Sequence, residues 1–301
     1  MISQAGTLLR SGSSRPYLGG SPSLLALPVG VILALLLLWP GLILLRESVG
    51  LSDGASSLSF SKYADLLLVP HYRGALLGSI GLGLFIAAVS TLLCLAPAWL
   101  LVRYHFPGKR LVRAVFALPL SFSGILVGFL MVHTLGRAGV LPTLAERLTG
   151  RAWLSGVAYQ FGGILLAYLY FEIPRACLTL EATLKKFDFR LDAAAQSLGA
   201  SSWQRFRWVA LPLLRPALLS TFAVTWSVSL GSFGVVLILA TRDFTLLPLE
   251  MFMQYLAFPP DRAQAAAMAV TLMVVALGAN VGSRILVARW EKSRGPAILS
   301  T

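Results

Sequence analysis

The sequence predicts an all-α, polytopic membrane protein with six transmembrane helices and both termini cytoplasmic. Three observations predict it. Hydrophobic residues make up 57% of the 301-residue chain and charged residues only 12%, a balance suited to lipid rather than water. Six runs carry no Asp, Glu, Lys or Arg: 24–45, 74–102, 114–136, 152–171, 216–241 and 263–283. At about 1.5 Å rise per residue, runs of 20 to 29 residues each cross a hydrocarbon core of roughly 30 Å. The third observation is the placement of charge. With the N-terminus inside, the segments 1–23, 103–113, 172–215 and 284–301 hold 17 of the 25 Lys and Arg, and the outer loops 46–73, 137–151 and 242–262 hold 8.

Lipid offers the backbone no hydrogen-bond partners, so each run closes its bonds internally as a helix. Strands of a membrane barrel would be half as long and alternate in polarity, which these runs do not. The net charge of +13 falls almost wholly on the inner segments. Insertion topology therefore accounts for the basic composition, and no nucleic acid is implied.

Residues 1–23 form a tail with Arg10 and Arg15, followed by a first span too long for a cleaved signal segment. Residues 24–71 hold that span and an outer loop, in which 60–69 (FSKYADLLLV) predicts a short interfacial helix. A core of 72–290 follows, then a tail of 291–301. The third run contains Leu118, Pro119, Ser121, Ser123, Gly124 and Gly128, so it predicts a kinked helix with a small-residue packing face. Cys94 falls in the second span and Cys177 inside, so neither a disulfide nor a metal site is expected.

The inner segment 172–215 is unusually long. Within it, 191–198 (LDAAAQSL) is rich in helix formers, and Gly199 suits a left-handed C-cap. Ser201 or Ser202 caps a second helix carrying Trp203, Phe206 and Ala210 at helical spacing, and Leu211-Pro212 turns the chain toward the fifth span. The product is a glycine elbow with an apolar knob of Ala194, Ala195 and Leu198 beside Arg205 and Arg207. Spacing alone leaves two readings open, an interfacial helix pair and a surface for a partner.

This loop resembles that of the transmembrane permease subunits of type I ABC importers, whose signature is Glu-Ala-Ala, three residues, Gly, nine residues, then Ile-x-Leu-Pro. Ala194, Ala195 and Gly199 match, as do Val209, Leu211 and Pro212 after nine intervening residues. Ala193 stands where the signature has Glu, with Asp192 one residue earlier. The resemblance covers roughly 72–290 and looks closest to the subgroup serving polyamines, phosphonates, thiamine, iron, sulfate and molybdate. It implies a prokaryotic inner-membrane subunit pairing with a second permease, a cytoplasmic ABC ATPase dimer and an extracytoplasmic substrate-binding protein. Asp192 through Pro212 would couple it to the ATPase. The cargo it implies is a small polar solute, with a phosphonate or polyamine favoured.

The chain lacks Gly-x-x-x-x-Gly-Lys-Ser/Thr, so ATP is expected to bind the partner and this subunit to be no enzyme, with no cofactor of its own. Thr225, Ser229, Ser232, Asn280 and His133 either line a pathway or serve packing and local hydrogen bonds. Glu172 and Arg175 are spaced for an i,i+3 pair. Asp243, Glu250 and Asp261 in outer loops are candidates to receive a binding protein. A proton-coupled secondary transporter would need ionisable groups within the spans, and the six runs hold only His133. A channel would have no use for the elbow.

Overall fold

A computed structural model describes residues 22–51, 58–152, 154–185, 190–240 and 245–293. Helices build all of its regular structure among the described residues. Among the described residues six helical stretches are long and apolar enough to cross a membrane: Pro28–Ser48, Pro70–Arg103, Gly124–Thr149, Phe161–Leu184, Ser202–Leu230 and Arg262–Trp290. The chain divides into two units, residues 1–44 and 45–301. The first is represented by most of α1 (Pro22–Ser48), which contains Pro28 and Pro40.

The second unit begins with the end of α1, where Ser48 Oγ accepts a hydrogen bond of 2.8 Å from Tyr63 Oη. Tyr63 lies in α2 (Ser61–Leu68), the short helix the outer loop predicts. Val69 is extended, and Pro70 then opens α3 (Pro70–Arg103), four residues before the charge-free run begins. Proline is favoured there because a first-turn residue has no helical use for its N–H.

The third run is not one helix. It is split into α4 (Lys109–Ala117), a 3₁₀ turn at Leu118–Ser121 and α5 (Gly124–Leu135). Pro119 interrupts the ladder, and Ser123 restarts it by accepting from Leu126 N at 3.3 Å. The predicted small face does pack. A Cβ on Gly128 would lie 2.7 Å from Cβ of Ile238, and one on Gly234 2.7 Å from the Ile125 nitrogen, so α5 meets the later helix backbone to backbone. After a tight turn come α6 (Val140–Thr149) and a 3₁₀ turn at Val157–Tyr159.

The fourth helix, α7 (Phe161–Leu184), differs most from its charge-free run of 152–171. It starts nine residues later and continues through Glu172, Arg175 and Glu181. Paired charges explain the extension. Arg175 Nε lies 3.4 Å from Glu172, while Arg113 of α4 and Lys185 pair with Glu181. Glu172 is 1% exposed, so the inner segment does not begin there and the spans hold a buried carboxyl. Cys177 also moves from the predicted inner segment into α7, and both cysteines are buried free thiols. Cys94 Sγ donates to the Ile173 carbonyl at 2.8 Å, tying α3 to α7.

Next come α8 (Arg190–Ser197), α9 (Ser202–Arg205), a π-helical turn at Phe206–Ala210 and α10 (Leu211–Leu230). The fifth charge-free run is broken as well: α10 stops at Leu230, and α11 (Phe233–Leu239) follows Gly231-Ser232. Then come α12 (Leu247–Leu256) and α13 (Arg262–Ser293). Asp261 Oδ1 accepts from Gln264 N at 2.9 Å and caps the start of α13.

Within this unit α3 packs on both α7 and α10, and α10 packs on α13. One core lies near the elbow and joins Cys94, Leu101, Leu180, Leu184, Ala210 and Leu214. A second, farther along the same helices, joins Ile86, Ile164, Tyr168, Val236 and Leu239. A third closes α2, α3, α12 and α13 around Leu66, Leu76, Leu247 and Met268.

Candidate functional site

The elbow folds as its local chemistry dictates. Gly199 has φ +80° and lies just past α8. Ala200 N donates to Ala195 O at 3.1 Å and Gly199 N to Gln196 O at 3.0 Å, the pair of bonds that closes a Schellman C-terminus. Two residues on, Ser201 Oγ accepts from Gln204 N at 3.3 Å while Ser201 N donates to Gln204 Oε1 at 2.8 Å. This capping box satisfies both ends of the next helix start. The backbone of the corner is thus hydrogen-bonded on each side of a single left-handed glycine.

The second helix does not turn away at Leu211-Pro212, contrary to the sequence expectation. Ser202–Leu230 is one continuous helical run. Pro212 would set its ring against the carbonyl four residues back in an α-helix. The π turn at Phe206–Ala210, closed by Leu211 N to Phe206 O, widens the ladder just before it. The elbow is therefore a rigid extension of a membrane helix, with Val209 and Leu211 half-buried and Ala210 fully buried in the core.

Asp192 is 4% exposed and anchors this corner from within. Its Oδ2 lies 3.2 Å from Nη2 of Arg103 at the end of α3, and its Oδ1 lies 3.3 Å from Nε of Arg205 in α9. One carboxylate thus joins α3, α8 and α9. Arg205 is turned inward to this acid and does not flank the knob as the spacing suggested. Ala193 and Ala194 face outward, Ala195 is half-buried, and Leu198 is 88% exposed. Trp203 and Trp208 of the following helix are exposed as well, with Arg207 stacked on the Trp208 ring at 5.5 Å. The geometry yields a braced scaffold presenting an apolar tip with an aromatic flank.

The predicted pathway residues separate into distinct groups. Thr225 and Ser229, with Thr221, form an i, i+4, i+8 row on α10; all three are buried, and their hydroxyls have no hydrogen-bond partner among the described residues. Ser90 and Thr91 of α3 share that condition. Sequence reasoning missed Thr221, Ser90 and Thr91, although the row of hydroxyls on α10 is a readable signal. Asn280 instead serves packing: its Nδ2 donates to Ser227 Oγ at 2.5 Å and to Ala276 O at 3.0 Å, joining α13 to α10. Ser232 lies at the α10–α11 break, its carbonyl accepting from Tyr168 Oη at 2.8 Å. His133 is exposed in the last turn of α5. Of the outer acids, Glu250 is buried with its Oε1 2.8 Å from Nε2 of His71, and Asp261 pairs with Lys62 at 2.5 Å. Asp243 lies outside the described residues.

A family model described as binding-protein-dependent transport system inner membrane component matches residues 79–292, from within α3 to within α13. The chain belongs to that family. It is a permease subunit of the type I ABC importer class, a multi-pass membrane protein, and the proton-coupled alternative falls away. The permease is 28% identical over 226 residues to the molybdenum transport system permease protein ModB of Haemophilus influenzae, covering 73% of this chain and 96% of that one. It is 28% identical over 253 residues to the sulfate transport system permease protein CysT of Salmonella typhimurium, covering 81% and 88%. Another relative is the sulfate permease protein CysW of Synechococcus elongatus, 28% identical over 247 residues, covering 80% of this chain and 84% of that one. The fold matches a chain from the structure of a bacterial alginate ABC transporter in complex with an alginate pentasaccharide-bound periplasmic protein, with a TM-score of 0.70 at 17% identity, covering 89% of this chain and 94% of that one.

Proposed function

We propose that this permease pairs with a second permease, identical or homologous, to form the pathway of an ATP-driven importer, and that its elbow seats in a cytoplasmic ABC ATPase. The observation that carries this reading is Leu198, 88% exposed at the tip of a corner whose backbone is closed on both sides of Gly199 and whose acid is braced internally. A long apolar side chain held out on a rigid arm suits a partner's cleft. Continuity of that arm with α10 gives ATPase motion a stiff route into the membrane helices. Asp192 takes the bracing role in place of a Glu at position 193. The elbow end is cytoplasmic, following the excess of Lys and Arg there, and both termini lie on that side of a prokaryotic inner membrane. A substrate-binding protein delivers cargo at the opposite end, and the core unit is 72–290.

For cargo, the molybdenum and sulfate systems of the relatives favour a tetrahedral oxyanion over the phosphonate or polyamine expected from sequence. Co-expression with the ATPase subunit tests the docking assignment. Leu198→Asp should abolish ATPase co-purification while leaving thermal unfolding of the permease in detergent unchanged; undiminished capture would remove the elbow from the interface. Uptake of labelled sulfate and molybdate, with an aminoethylphosphonate and putrescine as comparators, tests the cargo. Transport of either comparator in preference to both oxyanions would overturn the oxyanion assignment.

A further inference from the structure

At the end of the bundle opposite the elbow, a cavity of about 770 Å³ is lined by Val132, His133, Arg137, Ala138, Val140 and Tyr159. Its position is fixed by Tyr159, two residues before α7 begins, whereas the elbow follows the other end of α7. His133 in the last turn of α5 and Arg137 in the turn that follows are four residues apart, and neither has an acidic partner among the described residues. The turn that carries Arg137 is tightly constructed. A Cβ on Gly136 would fall 2.2 Å from the Val132 oxygen, and one on Gly139 2.8 Å from the Thr134 oxygen. Ser155 Oγ donates to the Arg137 carbonyl at 3.3 Å, and the Arg137 stem passes over Gly156, where a Cβ would lie 3.6 Å from its Cγ. The backbone around Arg137 is therefore held on both sides.

Electrostatics at this cavity run one way. Arg137, Arg147 and Arg151 fall in one predicted outer loop with a single acid, Glu146. Positive charge in a short outer loop works against membrane insertion, so it calls for a use at that face. Arg147 and Arg151 lie toward the far end of α6, where cations complement the helix dipole, but Arg137 lies in the turn before it. The α6 N-terminus that opens beside Ala138 and Val140 has neither an acidic first-turn residue nor a side-chain cap. Its first N–H groups add to the positive potential of Arg137. Tyr159 forms part of the wall and carries a hydroxyl able to donate.

We propose that this cavity is an anion-binding vestibule for a tetrahedral oxyanion, with Arg137 as the principal ligand and His133 and Tyr159 completing the shell. The proposal rests on the oxyanion reading of the cargo and gives it a location on this chain. A guanidinium fork matches two oxygens of such an anion, a geometry that an ammonium group lacks.

Equilibrium dialysis of the purified permease against labelled sulfate, and separately molybdate, measures binding without ATPase or binding protein. Arg137→Gln should weaken binding about tenfold or more, the loss expected of one charge-assisted ligand pair. Arg137→Lys should recover part of it, and Arg147→Gln should leave it unchanged. Ala138→Cys, labelled with a membrane-impermeant maleimide, should react from the face opposite the ATPase and be protected by either anion. Absence of binding by the wild-type chain, equal loss in Arg147→Gln, or an adduct formed only from the ATPase face would each overturn the vestibule. The two readings fail separately. An assembled transporter that imports neither anion, from a permease that still binds one through Arg137, refutes the cargo and keeps the site. Import that persists with no direct binding refutes the site and keeps the cargo.

Discussion

Asp192 illustrates what a single side chain does in this protein. Its carboxylate is shared by Arg103 and Arg205, which lie 102 positions apart in the chain, so it joins α3 to the elbow rather than reaching outward. Replacing it with Asn leaves two guanidinium groups facing a neutral amide. Asp192→Asn should cost about 2 kcal/mol, less than the roughly 3–5 kcal/mol of breaking a fully buried pair because both guanidinium groups are partly exposed, read as a lowered unfolding temperature in detergent. Leu198→Asp should show the reverse profile, with intact stability and lost ATPase capture. At Gly199 the two effects combine. A Cβ there meets nothing within 4 Å, so Gly199→Ala incurs only the left-handed backbone strain of about 1 kcal/mol. A loss of coupling well beyond that strain, measured as cargo-stimulated ATPase activity, would mean that a partner approaches the glycine closely. Asp192 was visible in sequence as the nearest acid to an empty signature position, but its inward aim was not. That depended on where the end of α3 comes to lie.

At the scale of the element, the charge-free runs located the helices but not their ends. They stopped at Glu172, whereas α7 continues for twelve residues beyond it because its charges are paired laterally. They also ran through Pro119 and Gly231, where α4 to α5 and α10 to α11 break. Apolarity reports what lipid tolerates; it does not report backbone continuity. The π turn before Pro212 shows the same limit, since the proline suggested a corner and the helix absorbed it by widening. Pro212→Ala should preserve expression and helix content but reduce ATPase stimulation by cargo, since the arm would relax to α-helical pitch and rotate its tip. Wild-type coupling in that variant would show that the π turn has no part in transmission. In the α5–α11 contact, Gly128→Val should destabilise by about 2 kcal/mol or more, because its Cβ would overlap Ile238 in a packed interface. A shifted thermal transition is the measurement.

Across residues 45–301, four of the ion-paired acids gather toward the two ends of the helices. The Asp192 and Glu181 clusters lie beside the elbow, and the Lys62–Asp261 and His71–Glu250 pairs lie at the other end. The hydroxyls of Ser90, Thr91, Thr221, Thr225 and Ser229 lie between them. A maleimide-accessible cysteine at Leu198 should label only from the side on which ATP is supplied, and labelling from the opposite side would invert the topology. The sequence by itself determined the class of the protein, its six candidate spans and the glycine elbow, because hydropathy, capping and the loop signature are local properties written along the chain. Only the tertiary structure decided which acids are internal, where the helices break and which polar groups converge. Those outcomes depend on groups distant in sequence meeting at one depth, and chain order does not encode that depth.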